Sequence, residues 1–501
     1  MDLYALQLET FFHDLDGPLI VITARVKDGR SCAVVVRDVV PYLYVTKPKN
    51  VKSTRDTEAF SIELDRILQA KVHPNQSNSA FLRREKSEYD DSKCKLVKNC
   101  TKVDRYTFEG VQQEQMQFLR VHIRLPHLGK HVQRIVEKIK PDSTWKYEKL
   151  KSYEANIDMV TRFTTDTGIR AGMWFTVTPG KTRAYRSLKH DVIVCCTAHM
   201  VRFRSDLTGM GPYKSITWDI ETLPHEFRPG QYQYYAGDHV KAKCVTIGAC
   251  MDSFRDGVRT ERHIAVFQLN ENIDAPHETI EYRHVVYLNK AHDNIPAGEH
   301  DYTSQTCQDT ITVGGTVFSM APQNEHYSAF VTKIHVTYIP SEKDLLFAFR
   351  DAVQSFDPDF LVGHNIFLFD APWLTKAAER LGISRHALSI SRHAGKPAEM
   401  QKHARYETTQ KKRWYVFGRI CVDTYEWLKV KRQLKMYKLD YCYELFCGRK
   451  KKNFNYEEIQ SAYKTDPFLP SPFKSQRDLA VYCAVDCVAS ADLAICKKLN
   501  M

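Results

Sequence analysis

The chain has 501 residues, 43% of them hydrophobic and 11% aromatic, and this length predicts two or more domains with separate hydrophobic cores. No apolar run approaches the roughly 18 residues of a membrane span, and the opening MDLYALQLETFFHDLDG lacks the layout of a signal peptide, so membrane insertion and secretion are not expected. Lys and Arg outnumber Asp and Glu by 72 to 60, and the resulting net charge of +12 makes a polyanion a reasonable partner.

Residues 1–210 are predicted to form a β-rich α+β amino-terminal domain. The strand-like runs GPLIVITARV and SCAVVVRDVVPYLYV come first, and the polar tract HPNQSNSAFLRREKSEYDDSK that follows has the composition of a loop or insertion. Farther along, GKHVQRIVEKIK has helical apolar spacing, whereas MWFTVTP and HDVIVCCTAHMV are predicted strands.

Residues 211–501 are predicted to form a second domain of the α/β class. KAKCVTIGACMDSF and TERHIAVFQL are predicted to be successive strands of one sheet, and SEKDLLFAFRDAVQSF has the i, i+3, i+4 spacing of a helix. The polar stretch 291–327 between them is interpreted as a surface insertion or hairpin.

The stretch SITWDIETLP places Asp219 and Glu221 two residues apart in a predicted strand. Side chains alternate along a strand, so both carboxylates point to the face opposite Trp218 and Ile220. Because two like charges side by side repel, the pair indicates a metal site, an ion pair or a solvated strand end.

Two more carboxylates lie in comparable surroundings. In residues 357–382 a buried strand leads into a helix that opens at Asp370, which could cap that helix or belong to a site. Asn365 and Phe369 share this strand-to-helix junction, where ligands bind in open α/β folds.

Residues 476–500 form one predicted helix, with Tyr482 and Asp486 one turn apart on its buried stripe. A buried carboxylate there needs a cation, a hydrogen-bond network or an edge in water.

Taken in order, DIE, NIFLFD and YCAVD resemble the three exonuclease motifs of the family B DNA polymerases. The resemblance implies an RNase H-like exonuclease domain, a mixed sheet flanked by helices, in residues 211–501, preceded by the amino-terminal domain in residues 1–210. DGRSCAVVVRDVVPYLYV and YEANIDMVTRFTTDTGIRAGMWFTV are also similar to this family, as is the segment after the second motif, which contains Gly418, Arg419, Asp423 and the Tyr437-Lys438-Leu439 run.

The resemblance also implies a reaction, the two-metal hydrolysis of the 3′-terminal phosphodiester of DNA with Mg²⁺ or Mn²⁺. By this resemblance Asp219, Glu221 and Asp486 hold the metals, Asp370 ligates the second ion directly or through water, and Tyr482 orients the attacking water. Thr222, Asn365 and Phe369 match family positions that touch the 3′-terminal nucleotides.

Lys438 is a further candidate DNA contact within the basic stretch 411–452. This stretch has 13 Lys or Arg against 4 Asp or Glu, interleaved with Trp414, Tyr415, Trp427 and Tyr437. The composition suits phosphate and base contacts, but a solvated cationic face with core aromatics is an equally good interpretation. The run GRKKK within it also has the composition of a nuclear signal.

No stretch resembles the SLYPS, NSxYG or YGDTDS motifs of the polymerase palm. The chain is therefore expected to be the amino-terminal and proofreading part of a delta-like or viral DNA polymerase, acting inside the cell in the nucleus or at a viral replication site. DNA is the expected partner, together with a polymerase domain or other replisome subunits. The alternatives are a stand-alone exonuclease of the same fold, acting in repair or RNA processing, and a non-catalytic DNA-binding module.

Overall fold

The computed structural model describes residues 1–13, 17–71, 95–106, 115–139, 145–180, 185–224, 242–270, 277–287, 310–313, 316–317, 327–402, 412–449, 451, 459 and 476–496. The chain divides into two compact units. The first comprises Met1–Arg186 with His190–Gly211, and the second comprises Ser187–Lys189 with Pro212–Met501. In the described part, no helix is long and apolar enough to span a bilayer.

A six-stranded sheet opens the first unit and includes GPLIVITARV and the SCAVVVR part of SCAVVVRDVVPYLYV, whose YLYV end belongs to the second sheet of this unit. Its strands, numbered along the chain, are β1 (Asp2–His13), β2 (Gly17–Val26), β3 (Ser31–Arg37), β8 (Trp174–Val177), β9 (Val192–Thr197) and β10 (Val201–Phe203). They are arranged in the order β10-β8-β1-β2-β3-β9, and the helix α3 (Met159–Thr167) packs on them through Phe163. A 3₁₀ turn, Ala198–Met200, joins β9 to β10.

A four-stranded sheet with two helices completes the first unit. Its elements are β4 (Tyr42–Thr46), α1 (Thr54–Lys71), β5 (Val97–Arg105), β6 (Met116–Ile123), α2 (Leu128–Lys138) and β7 (Ser152–Tyr153). The strand order is β5-β6-β4-β7, and α1 and α2 bury Phe60, Leu64 and Val132 in a shared core. The helix predicted at GKHVQRIVEKIK is thus confirmed, whereas the polar tract 73–93 lies outside the described residues.

The second unit is built on a nine-stranded mixed sheet. Its strands are β11 (Tyr213–Pro224), β12 (Ala242–Arg255), β13 (Val258–Leu269), β14 (His277–Tyr287), β15 (Thr310–Val313), β16 (Thr316–Val317), β17 (Tyr327–Ile339), β18 (Phe360–Gly363) and β21 (Ile420–Asp423). Their order is β16-β15-β14-β17-β13-β12-β11-β18-β21. The short pair β15–β16 is the described part of the predicted insertion 291–327; the rest of that stretch, except its last residue, lies outside the described residues.

Helices pack against this sheet, in agreement with the predicted α/β class. They are α4 (Glu342–Phe356), α5 (Asp370–Arg380), α6 (Thr424–Lys431), α7 (Leu439–Cys447) and α8 (Gln476–Ala494), and a separate hairpin pairs β19 (Glu399–Lys402) with β20 (Lys412–Tyr415). The alternation of β11 buries Trp218 and Ile220 in the core that it shares with α4 and α5. The helices α4 and α8 were both predicted from their apolar periodicity, and both are confirmed.

A buried ion network fixes the start of the parallel strands β18 and β21. The guanidinium of Arg392 is fully buried and pairs with Asp357 at 2.7 Å and with Asp359 at 2.9 Å, and Arg419 pairs with Asp357 at 3.0 Å. Gly418 has φ = 73°, and a Cβ there would lie 2.9 Å from the Arg392 side chain, so this position requires glycine. The network lies at the opposite end of β18 from the Gly363 junction that leads to α5.

Candidate active site

The central strand β11 carries the first two carboxylates of the site. It pairs with β12 along its length and with β18 over Ser215–Thr217, so Asp219 and Glu221 lie just beyond the paired part of β18. Trp218 and Ile220 point into the core, and the two acidic side chains point to the opposite, partly exposed face, as the strand alternation predicted.

An irregularity in β12 lies beside this pair. Glu221 is opposite Thr246 and Thr222 is opposite Cys244, which leaves Val245 as an extra residue in β12. Bulges of this kind increase local twist and occur often next to active sites. Thr222, the predicted contact to a terminal nucleotide, follows Glu221 directly and is buried at 7% exposure.

Asp370 reaches the same face of the sheet from the first residue of α5. The N-cap of α5 is Phe369, and one oxygen of Asp370, Oδ1, accepts a hydrogen bond from the backbone N–H of Ile220 at 3.3 Å. Of the two roles left open by the sequence, the structure supports the site, because the Asp370 carboxylate contacts β11, although it also accepts its own backbone N–H at the start of α5. Burial raises the pKa of Asp370 to about 7.

Asp486 is contributed by α8, which packs against β11 and β12. Its carboxylate accepts two hydrogen bonds from Lys451 Nζ, at 2.6 and 2.8 Å, and one from the Tyr482 hydroxyl. The Lys451 side chain is only 5% exposed, and its Nζ lies 4.9 Å from the Tyr482 ring centroid. The cation that a buried Asp486 required is therefore Lys451.

The four carboxylates form one electrostatic site. The pKa of Asp219 is raised well above its usual value by burial and then by the negative charges of Asp370, Glu221 and Asp486. Burial and Asp486 also raise the pKa of Glu221, and Lys451 opposes that shift. Within the described part of the chain, Lys451 is the cation that pairs with this cluster of four carboxylates, so the site has an excess of acidic groups over cations.

The donor atoms of the cluster fit a hard divalent cation. One oxygen of Asp219, one oxygen of Glu221 and the Cys483 sulfur lie within 4.8 Å of one another. The thiol donates to the Asp219 carbonyl oxygen at 3.7 Å, and the remaining acidic groups offer oxygen atoms, which Mg²⁺ and Mn²⁺ prefer. A bound dication would also neutralise the mutual repulsion that raises these pKa values.

The junction between β18 and α5 is held by Asp423. Its carboxylate accepts the backbone N–H groups of Asn365 at 2.8 Å and Phe367 at 3.0 Å, and it also caps α6. Asn365 adopts a left-handed φ of 70°, and its side-chain Oδ1 is buried without a hydrogen-bond partner among the described atoms. Phe369, at the end of the same junction, is only partly buried.

His364 ties this junction to the basic stretch. Its ring bonds to Thr424 Oγ1 and to the Tyr437 carbonyl oxygen, both at 2.8 Å. Burial lowers the pKa of His364 to about 4, which keeps the ring neutral at pH 7. Lys438, the next residue after Tyr437, is exposed and precedes α7, so the predicted DNA contact lies beside the junction.

The basic stretch is partly surface and partly core. Trp414 is buried, with its ring centroid 5.4 Å from that of Trp218, so of the two interpretations left open by the sequence the core aromatic holds for this residue. The exposed cations from the last turn of α6 to the N-cap of α7 form what we call the basic segment: Lys429, Lys431, Arg432, Lys435 and Lys438. Val430 and Met436 are also exposed within it, at 67% and 47%.

Two residues that shape the site were not assigned these roles from the sequence. Lys451 lies in GRKKK, which has the composition of a nuclear signal, yet its side chain is buried against Asp486. The available signal was indirect, because a carboxylate on a buried stripe demands a cation. Asp423 was noted only as a family-like position, and nothing in its local sequence indicates that it holds the Asn365 junction.

Comparison with known proteins identifies the family of this chain from its sequence. Residues 150–442 match the domain family described as "DNA polymerase family B, exonuclease domain", and Asp486 lies beyond this range. The DNA polymerase delta catalytic subunit of Arabidopsis thaliana is 21% identical over 94% of this chain and 36% of its own length. The DNA polymerase catalytic subunit of Epstein-Barr virus strain B95-8 is 22% identical over 70% of this chain and 28% of its own.

Among solved structures, the family B DNA polymerase of Pyrobaculum calidifontis superposes with a TM-score of 0.56 at 16% identity, covering 99% of this chain and 45% of that chain. This likeness shows the fold. The chain spans about a third of the length of the curated relatives that it matches along most of its length. The matched domain covers more than half of the chain, which therefore belongs to the family B DNA polymerases and carries their exonuclease domain.

Proposed function

We propose that this chain is the amino-terminal and proofreading part of a DNA-directed DNA polymerase, with residues 1–210 as the amino-terminal domain and residues 211–501 as a 3′-to-5′ exonuclease domain. The reaction is metal-dependent hydrolysis of the 3′-terminal phosphodiester of DNA during replication. The observation that carries the proposal is the convergence of four carboxylates from β11, α5 and α8 on one face of the sheet in a member of this family. Polymerisation is not proposed for these residues, because no palm motif is found among them.

The metal ligands in this proposal are Asp219, Glu221 and Asp486, with Asp370 as a direct or water-mediated ligand of the second ion. Two Mg²⁺ or Mn²⁺ ions, when bound, stabilise the attacking and the leaving oxygen of an in-line displacement. The excess of negative charge at the site supports this assignment, since one lysine faces four acidic groups in the described part of the chain.

The protein's own side chains prepare the nucleophile. The Tyr482 hydroxyl, which donates to Asp486, orients the attacking water. Burial raises the pKa of Asp486, and Lys451 opposes that rise and so favours the ionised carboxylate that a metal ligand requires.

The DNA strand end is positioned by the residues around the β18–α5 junction. Thr222, Asn365 and Phe369 contact the terminal nucleotides, and the buried, unpaired Oδ1 of Asn365 supports this role because a ligand would supply its missing partner. The basic segment, including Lys438, holds the phosphates of the strand, with exposed Met436 beside them. The partners are DNA and a polymerase domain or other replisome subunits, in the nucleus or at a viral replication site.

The test is digestion of a 5′-labelled single-stranded DNA oligonucleotide with Mg²⁺ and with EDTA. Asp219→Ala should reduce digestion to the level seen in EDTA and leave the folded structure intact. The matched control is Asp351→Ala, which removes an exposed aspartate of α4 and should digest like the unmodified protein. Digestion by Asp219→Ala at the unmodified rate would refute the assignment.

The substrate separates this proposal from its alternatives. Faster removal of a mismatched than of a paired primer end supports proofreading. Faster digestion of RNA than of DNA of the same sequence would favour an RNA-processing exonuclease. Tight DNA binding without digestion in Mg²⁺ or Mn²⁺ would favour a non-catalytic module.

A further inference from the structure

Two cysteines meet where the ends of α7 and α8 pack together. Cys447 is the last residue of α7, and Cys496 lies just beyond the end of α8. The Cys496 thiol donates to the carbonyl oxygen of Phe446, the residue before Cys447, at 3.5 Å. Both cysteines pack against the same small core, which includes Leu428 and Leu493. The two thiols are therefore neighbours in space although they are far apart in the sequence.

Polar contacts beside the thiols hold α7 against α8. Asp492 of α8 accepts hydrogen bonds from Arg449, just after α7, at 2.9 Å and from the Tyr443 hydroxyl, within α7, at 3.5 Å. Burial raises the pKa of the Cys447 thiol to about 12, and the Cys496 thiol, which shares a side-chain hydrogen bond with it, adds to this rise. The two thiols therefore face each other across a packed contact between the helices.

The pair lacks the further ligands that a metal site needs. Structural zinc sites use four protein ligands. In the described ranges, the one group of three or more closely spaced His, Cys, Asp or Glu ligands consists of Asp219, Glu221 and Cys483, and it includes neither thiol. Two thiols in contact without a third ligand can instead form a disulfide, which requires only two sulfur atoms and a compatible backbone.

Partial exposure distinguishes this pair from a second thiol pair in α8. Cys483 and Cys487 also share a hydrogen bond, but both are fully buried, at 0% exposure. Cys447 and Cys496 are only partly buried, and Ile495, the neighbour of Cys496, is 42% exposed. A small oxidant can therefore reach Cys496, whereas buried thiols are inert.

We propose that Cys447 and Cys496 are a site of reversible disulfide formation, with hydrogen peroxide or another hydroperoxide as the oxidant. The Cys496 sulfur attacks one oxygen of hydrogen peroxide, the O–O bond breaks, and one water leaves behind a Cys496 sulfenic acid. The Cys447 sulfur then attacks the Cys496 sulfur, the S–O bond breaks, and a second water leaves. Two thiols are thereby oxidised to one disulfide, and one peroxide is reduced to two waters.

The bond joins the two elements that bring Lys451 to Asp486. Cys447 precedes Lys451 by one short stretch of chain, and Cys496 follows Asp486 along α8. The helical path from Asp486 to Cys496 is about 15 Å long, so the thiol pair is a site separate from the carboxylate cluster. Oxidation therefore ties the end of α7 to the end of α8 without consuming a carboxylate of that cluster.

The experiment treats the reduced full chain with hydrogen peroxide, alkylates the remaining thiols in denaturant and identifies linked peptides by mass spectrometry. The test variants are Cys447→Ser and Cys496→Ser. The matched control is Cys100→Ser. The Cys100 thiol is also partly buried, and burial raises its pKa to about 12 as well, but its side-chain partner is Ser61 and not a thiol.

The unsubstituted protein and Cys100→Ser should both give a peptide pair that joins Cys447 to Cys496 and disappears after treatment with dithiothreitol. Their melting temperature should rise on oxidation and fall back on reduction, because closing a loop of about 50 residues restricts the unfolded chain. Neither test variant should show this rise. Dimedone, which labels sulfenic acids, should label Cys496 more strongly in Cys447→Ser than in the unsubstituted protein, because the second step is then blocked.

Three results would overturn the proposal: absence of the link between Cys447 and Cys496, links that form only between molecules, or equal dimedone labelling of Cys496 with and without Cys447. The link is measured on the unsubstituted protein, so a variant that fails to fold does not remove the test. Because digestion is not measured, the outcome is independent of the exonuclease assignment.

Discussion

Gly248 of β12 lies opposite Asp219 and leaves the space that two thiols of α8 occupy. A Cβ at this position would lie 2.8 Å from Cys487 Sγ, 2.9 Å from Cys483 Sγ and 3.1 Å from the Cys483 carbonyl oxygen. The substitution Gly248→Ala therefore pushes α8 away from the sheet. Because Asp486 belongs to α8, the site opens with it.

The size of the effect follows from these contacts. Ordinary contact begins at 3.4 Å, so α8 must move by about 0.5 Å, and overpacking of this kind costs about 1–3 kcal/mol of the free energy of unfolding. A displacement of about 1 Å at an active site costs about 100-fold in rate, so half of that predicts a loss on the order of 10-fold.

The assay combines denaturant unfolding with digestion of single-stranded DNA in Mg²⁺. The control background is Cys483→Ala with Cys487→Ala, which removes both sulfur atoms, and each rate in it is compared with the rate of that background alone. In that background Gly248→Ala should cost much less activity, because only the contact with the Cys483 carbonyl oxygen remains. An unchanged rate and stability for Gly248→Ala alone, or the same loss in both backgrounds, would refute this reasoning.

Two further predictions concern the charges of the site. In EDTA, Lys451→Met should lower the free energy of unfolding by about 3–5 kcal/mol, because it removes the cation that pairs with the Asp486 carboxylate. Addition of Mg²⁺ should restore most of that loss. Equal destabilisation with and without Mg²⁺ would contradict the pairing of Lys451 with Asp486. The folded-state pKa of Asp370 is raised to about 7, so the stability linked to its protonated form is present below pH 4 and is lost as the pH rises through 7. In EDTA, Asp370→Asn should therefore gain melting temperature over the unmodified protein between pH 5 and pH 8, and a gain that does not grow with pH would count against this pKa.

The sequence was sufficient wherever the information is local. The period of two in SITWDIETLP assigned Trp218 and Ile220 to the core and the acidic pair to the other face, and the structure agrees. The helices α2 and α4 follow from apolar residues at helical spacing, because burying one face stabilises each of them. The predicted helix α8 is also present, but the structure buries it on nearly all sides. The α/β class follows in turn from the order of strands and helices.

The sequence was not sufficient where two distant segments compete for one side chain. Asp370 is an acceptable helix cap by local rules, but its carboxylate accepts the N–H of Ile220, which is 150 residues away. Trp414 lies in a basic stretch whose composition suits DNA contacts, but its side chain packs in the core beside Trp218. Local propensity cannot rank such choices, because the winning partner is adjacent only after folding.

By itself the sequence determined several elements of this protein, the face on which Asp219 and Glu221 lie and, through three ordered motifs, the family to which it belongs. Only the tertiary structure decided that Lys451 neutralises Asp486, that Asp423 holds the Asn365 junction and that Gly248 sets the distance of α8 from β11. The physical reason is that periodicity fixes the direction of a side chain within its own element, whereas the charge and spacing of a site depend on atoms that the chain brings together from separate elements.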